Sequence, residues 1–104
     1  MYRLEYLPSA KRDMADIVRY ISRELANPVA AERLANDMIK AAERLTGFPY
    51  SCPAHYPLRP LEHEYRRLSV RNYVMFYYVD EKQKLVVISR VIYARRNYSN
   101  MPFA

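Results

Sequence analysis

The residues best equipped for chemistry lie late in the chain, where arginine and tyrosine are threaded through β-forming side chains. They are Arg66 and Arg67, then Arg90 and Tyr93, then the closing run Arg95, Arg96, Asn97 and Tyr98. A guanidinium stays charged at any physiological pH and its planar fork binds two oxygens of one anion, while a tyrosine ring offers a flat face for stacking. Set on neighbouring strands, these side chains make a cationic, ring-bearing surface for an anionic partner. The charge distribution points the same way. Residues 59–104 carry nine Lys/Arg against four Asp/Glu, residues 1–58 eight against seven, so most of the net +6 falls in the late half. The plainer alternative is a solvated basic surface that keeps the chain dispersed.

A second group with possible chemistry is Cys52-x-x-His55, followed by Glu62, His63 and Glu64. Protein zinc sites use three or four ligands with an ordered outer shell, and this set offers too little of either, so no metal and no cofactor are expected. A Cys52/His55 nucleophile pair lacks a catalytic context, and loop packing is the expected role of a lone cysteine.

The elements that must position these residues can be read from periodicity. Residues 2–7 alternate and stop at Pro8, which predicts a first strand. Ser9 is placed as a helix cap, and Met14, Ile17, Val18, Ile21 and Leu25 recur at helical spacing, predicting a helix over about 10–25. Asn27-Pro28 supplies a capping side chain and a proline at the first helical position, opening a second helix. Its buried stripe is Ala31, Leu34, Ala35, Met38, Ala41, Ala42 and Leu45, and Gly47 stands where a left-handed helix end is expected. The short link at Ala26-Asn27 folds the two helices into an antiparallel hairpin.

Four prolines make 48–61 a stiff ordered loop. Three apolar runs follow, 65–70, 73–79 and 85–93, joined at Arg71-Asn72 and across 80–84 as an antiparallel meander. Alternation sets Val74, Phe76 and Tyr78 against Tyr73, Met75 and Tyr77. It likewise sets Val86, Ile88, Arg90 and Ile92 against Leu85, Val87, Ser89, Val91 and Tyr93. Both sheet faces are thus apolar, and the helices can cover one. The other is expected to be an exposed apolar and basic surface, unless the proline-rich loop and the carboxy-terminal tail cover it. The fold class is α+β with order β-α-α-β-β-β, a helical hairpin on one face of a mainly antiparallel sheet, in a single domain over 1–104.

The 104 residues, half of them apolar, suffice for one core without disulfides. No run reaches the roughly 18 apolar residues of a membrane span, no export signal is evident at the start, and Cys52 has no intrachain partner. A soluble cytoplasmic protein is expected.

The segments Glu64-Tyr65-Arg66-Arg67-Leu68, Asn72-Tyr73-Val74-Met75-Phe76-Tyr77 and Val87-Ile88-Ser89-Arg90-Val91-Ile92-Tyr93-Ala94-Arg95-Arg96-Asn97-Tyr98 resemble the RelE/ParE superfamily of toxins from bacterial type II toxin–antitoxin modules. Positions 13–20, Asn27, Ala31 and 45–49 look like that superfamily's helical hairpin. The resemblance implies a plasmid-stabilisation or addiction toxin held by a cognate antitoxin in a hetero-oligomer. Its target would be DNA gyrase in one branch, or mRNA in the ribosomal decoding site in the other.

An mRNA-cutting site needs phosphate-binding cations, an acceptor for the 2′-OH proton, a donor for the leaving oxygen and a stacking platform. In a nuclease, Arg66, Arg90, Arg96 and Tyr98 would be the catalytic set. Under either activity, Arg66, Arg67, Arg90, Tyr93, Arg95, Arg96 and Tyr98 would form the target- and antitoxin-binding surface. Two departures weigh against the nuclease: Val74 stands where the mRNA-cutting toxins carry a third-strand arginine, and the terminal histidine-tyrosine pair is missing. The gyrase branch asks only for a surface, and the reading leans towards it; an inactive toxin fold kept as a binding module is the third option.

Overall fold

A computed structural model describes residues 1–56, 61–98 and 101–103. β1 (Arg3–Tyr6) leads into α1 (Pro8–Arg19), which runs on as a π-helical turn (Tyr20–Glu24), and α2 (Pro28–Arg44) returns antiparallel to it. β2 (Arg66–Val70), β3 (Tyr73–Asp80) and β4 (Leu85–Tyr93) then form the meander. The sheet order is β1-β4-β3-β2, with β1 parallel to β4 and the other pairs antiparallel. This is the expected α+β order, with the hairpin packed on one face.

The second helix forms as its residues dictate. Asn27 accepts the N–H of Ala30 at 3.1 Å, Pro28 sits in the first turn, and Ala31, Leu34, Met38, Ala41, Ala42 and Leu45 are buried in the main core. Its end does not follow expectation. No glycine here has a positive φ, and Gly47 is an ordinary turn residue whose added Cβ would meet only the Arg44 carbonyl, at 3.9 Å. The last turn is closed instead by Thr46, whose hydroxyl donates to the Glu43 carbonyl at 2.7 Å. The left-handed positions are Ala26, Arg71 and Lys84, all at tight connections.

Ser9 departs from expectation too. The first helix starts two residues earlier, at Pro8, with proline in its first turn and no capping side chain, and Ser9 is buried. Its hydroxyl donates to the Ser89 carbonyl at 2.7 Å. The reason lies in strand lengths: β1 has 4 residues and β4 has 9, so β1 pairs β4 only as far as Ile88. Beyond that point the open edge of β4 is completed by α1 side chains. Ser9 serves the Ser89 carbonyl, and Asp13 accepts the Val91 N–H at 2.9 Å. Asp13 also takes the Arg90 guanidinium, at 2.6 Å to Nε and 3.1 Å to Nη2.

Strict alternation along β4 fails at one place. Phe76 faces Arg90 and Tyr77 faces Ile88, which leaves Ser89 as an extra residue in a bulge. Val91 consequently joins Val86 and Ile88 in the helix-side core, while Ile92 packs with the opposite face. One inserted residue has shifted the phase of the strand, and Arg90 with it.

The sheet face away from the helices is not the open surface expected. Tyr65, Val74, Phe76 and Ile92 are buried there together with Met101 and Phe103 from the tail, and Leu61, Tyr78 and Tyr98 border them. His55 packs against Phe76, Tyr98 and Phe103 at ring distances of 5.3, 5.6 and 5.3 Å. His63 lies flat on Tyr78 at 3.7 Å. Each large ring so buried contributes about 1.5–3 kcal/mol, enough to draw the loop and tail over an apolar face. The loop is pinned at its start by the Tyr77 hydroxyl, which donates to the Pro49 carbonyl at 2.8 Å.

Asp13→Ala would remove three hydrogen bonds at once and leave Nε and Nη2 of the mostly buried Arg90 and a strand N–H without acceptors, while Nη1 keeps the Pro102 carbonyl. We expect it to cost about 2–3 kcal/mol. Chemical denaturation of the two proteins checks this; a midpoint unchanged from wild type would mean that the α1 side chains do not hold the β4 edge.

Candidate functional site

The sequence-predicted site residues are brought to two separate places, and two of them to neither. On the face away from the helices, Arg67, Phe76 and Arg90 form one row across β2, β3 and β4. Directly paired residues project to the same side of a sheet, so Phe76 lies between two guanidinium-bearing positions. Tyr98 meets Phe76 edge-on at 5.2 Å, and His55 borders both rings. Arg67 is half-buried, and its Nε has no hydrogen-bond partner. Arg90 is engaged at both ends, by Asp13 and by the Pro102 carbonyl, to which its Nη1 donates at 2.8 Å.

On the helix side, a groove of about 810 Å3 runs between the hairpin and the ends of β3 and β4. Tyr20 and Ile21 of the π turn and Leu25 just after it form part of its wall, Tyr93 stands at the strand end, and Arg33, Arg71 and Arg96 supply cations. The π turn matters here because its wider winding ends in Ala26 at φ 48°, which closes the hairpin beside the groove. Tyr20, Leu25 and Tyr93 remain exposed, unusual for rings and leucine beside a core. Arg71 is paired with Asp37 at 2.7 Å, so Arg33 and Arg96 are the cations of the rim without an acidic partner among the described residues.

Arg66 and Arg95 belong to neither place. Arg66 donates to the Cys52 carbonyl at 2.8 Å, pairs with Glu64 at 3.0 Å and lies 4.9 Å over the Tyr50 ring, which makes it a clamp on the loop. Arg95 is exposed in the turn after β4 and does not line the groove. Tyr50 is itself held by Glu81, which also accepts from Tyr2 at 2.8 Å and pairs with Lys84 at 2.6 Å. Those donors hold the Glu81 carboxyl down at about 2, and the bond to Glu81 pushes the Tyr50 phenol up to about 12. Three segments far apart in sequence are thereby joined at one exposed carboxylate.

Sequence reasoning missed His55 as a member of the ring cluster, having weighed it only beside Cys52. Nothing in the spacing signals it, because a proline-rich loop has no period from which facing can be read. Arg33, Arg71 and Tyr20 were missed for a related reason: they meet only when the hairpin closes over the strand ends. Among the described residues, no group of three or more His, Cys, Asp or Glu could hold a metal ion. No helix there is long and apolar enough to cross a membrane.

The architecture is a helical hairpin on a four-stranded sheet whose outer β1 runs parallel to its neighbour. The chain resembles a chain of the chromosomal ParDE TA system from P. aeruginosa with a TM-score of 0.70 at 19% identity, covering 91% of this chain and 98% of that one. It also resembles the toxin–antitoxin complex RelBE2 of Mycobacterium tuberculosis (TM-score 0.63, 20% identity, 88% and 90% covered). The isolated E. coli RelE toxin gives 0.55 at 16% identity, with 93% and 88% covered. No curated protein sequence matches the chain. Residues 4–98 match the family described as ParE toxin of type II toxin-antitoxin system, parDE, and the chain belongs to that family. It is a toxin of the RelE/ParE superfamily.

Burial among rings, and then the nearby Arg67 charge, hold the His55 pKa below its ordinary value. The neutral form is therefore favoured in the fold. Stability from this group is complete above the unfolded-state value near 6.5 and is lost as pH falls through the lower folded value. Thermal melts taken between about pH 7 and pH 5 should show a decline that is reduced in His55→Gln; equal slopes in both proteins would remove His55 as its source.

Proposed function

We propose that this toxin arrests growth by a ParE-like action on DNA gyrase, and that a cognate antitoxin neutralises it. The observation that carries this reading is the dispersal of the arginines. Arg66 is a loop clamp, Arg90 is engaged by Asp13 and Pro102, and Arg96 lies at the helix-side groove. The four groups expected of a nuclease thus do not converge on one open cleft. Val74, the position of the third-strand arginine in the mRNA-cutting branch, is buried in the face that the tail covers. The family match over residues 4–98 supports the same branch.

The groove is the proposed seat of the antitoxin. Its exposed Tyr20, Leu25 and Tyr93 beside Arg33 and Arg96 suit an acidic, apolar segment that orders on binding. The resembling ParDE and RelBE2 structures are described as toxin–antitoxin systems or complexes, which supports a hetero-oligomer. The second reading, a RelE-like ribosome-dependent mRNA endonuclease, draws on the Arg67–Phe76–Arg90 row. Together with His55 and Tyr98, that row offers cations, stacking rings and an imidazole able to take a proton.

Induced expression of the chain alone should stop growth, with gyrase-dependent DNA breaks appearing before any discrete cuts in ribosome-bound mRNA. The reverse order would replace the gyrase reading with the nuclease one. Arg96→Ala should weaken antitoxin binding by about two- to fivefold, more at low salt, while Arg95→Ala leaves it near wild type. Equal effects of the two substitutions would remove the groove as the antitoxin seat.

A further inference from the structure

The tail seated on the face away from the helices behaves as a bound ligand in its chemistry. Met101 and Phe103 are 7% and 6% exposed, although both follow the last strand and the turn after it. Phe103 stacks on His55 at 5.3 Å and 29°, meets Phe76 edge-on at 4.9 Å and tilts against Tyr65 at 5.0 Å. Between the two apolar residues, the Pro102 carbonyl accepts from Arg90 at 2.8 Å. A ring inserted among rings and an oxygen on a guanidinium are what an acidic segment bearing an aromatic side chain would present to this face. The attachment is also light. Apart from the Arg90 bond, its one backbone hydrogen bond among the described residues runs from the Met101 N–H to the Tyr98 carbonyl, at 3.3 Å and within the tail itself.

The face beneath retains features of an unfinished contact. Phe76 is fully buried in the row between Arg67 and Arg90, and among the described residues the buried Nε of Arg67 has no hydrogen-bond partner and no acidic residue pairs with its guanidinium. A buried donor left unsatisfied is costly, and an incoming carboxylate would satisfy it.

We propose that residues 101–103 are an autoinhibitory cap: seated, they close the Arg67–Phe76–Arg90 face, and displaced, they expose it as the surface that engages an acidic, aromatic-bearing segment of the toxin's protein target. The proposal rests on the toxin reading and adds a control on it. The free toxin exchanges between a closed state held by its own tail and an open state, and a target that binds only the open state must compete with Phe103.

The test uses the full chain, a chain ending at Asn100, and the milder Phe103→Leu, which keeps an apolar side chain but loses the stacked ring. Growth arrest is titrated by graded induction and normalised to soluble protein. Binding of the anionic aromatic dye ANS is measured on the purified proteins, with circular dichroism as the check of fold. The truncated chain should reach the same arrest with about tenfold less protein, the population shift expected from losing a buried aromatic ring, and Phe103→Leu should fall between. ANS binding should rise in the same order.

Equal potency of all three chains, or a lower potency of folded variants, overturns the cap while leaving the toxin reading in place. Unchanged ANS binding by a folded truncated chain overturns it as well. If no chain arrests growth, the toxin reading fails and the cap falls with it. Should the truncated chain not fold, Phe103→Leu decides alone by the same two readouts.

Discussion

Asp13 holds the molecule to its particular shape. One carboxylate on the first helix accepts the Val91 N–H and two guanidinium nitrogens of Arg90, while Ser9, one helical turn earlier, covers the Ser89 carbonyl. The helix thereby does what a longer first strand would have done, satisfying backbone groups that would otherwise be stranded at a half-buried edge. Because α1 is fixed to β4 in this way, the hairpin closes at a set distance from the strand ends, and the groove opens there. The same carboxylate draws Arg90 towards the helix, leaving Arg67 as the guanidinium of the row without an acidic partner among the described residues. The position of both candidate surfaces follows from one ion pair.

Much of the fold was legible because repeating patterns report burial directly. The α2 stripe from Ala31 to Leu45, the Asn27-Pro28 start and the three late strands carry their own period, and each is found within a residue or two of its expected bounds. The errors occur where a tertiary partner outbids a local preference. Ser9 has the chemistry of a cap, but a buried strand carbonyl needs its hydroxyl more than an exposed helix start does. Gly47 has the freedom to turn left-handed, but Thr46 closes the helix before that freedom is used. The bulge at Ser89 could not be read from composition, since serine fits an alternating pattern as well as it fits an extra position.

The candidate site was legible in part. Adjacent arginines on a strand must point to opposite sides, and Arg66 and Arg67 do: one clamps the loop beside Glu64 and Tyr50, the other faces the ring cluster. What spacing could not disclose is that Arg90 and Arg96, six positions apart, serve different faces of the sheet, because the turn after β4 carries Arg96 to the groove. Nor could it show that the tail, with only Met101 and Phe103 as apolar anchors, would cover the face that both apolar sides of β3 left in need of a cover.

The parallel pairing of β1 with β4 bears on when the protein comes into being during synthesis. Arg3 lies beside Leu85 and Tyr6 beside Ile88, so the first strand waits for its sheet neighbour until synthesis has passed β4. Domains that rest on such distant pairing cannot complete their cores on a partial chain, and their assembly waits for the closing contacts. The groove and the ring-lined face are both built on β4, the central strand that pairs with β1 on one side and β3 on the other. Until β4 has been synthesised and paired, neither surface can exist.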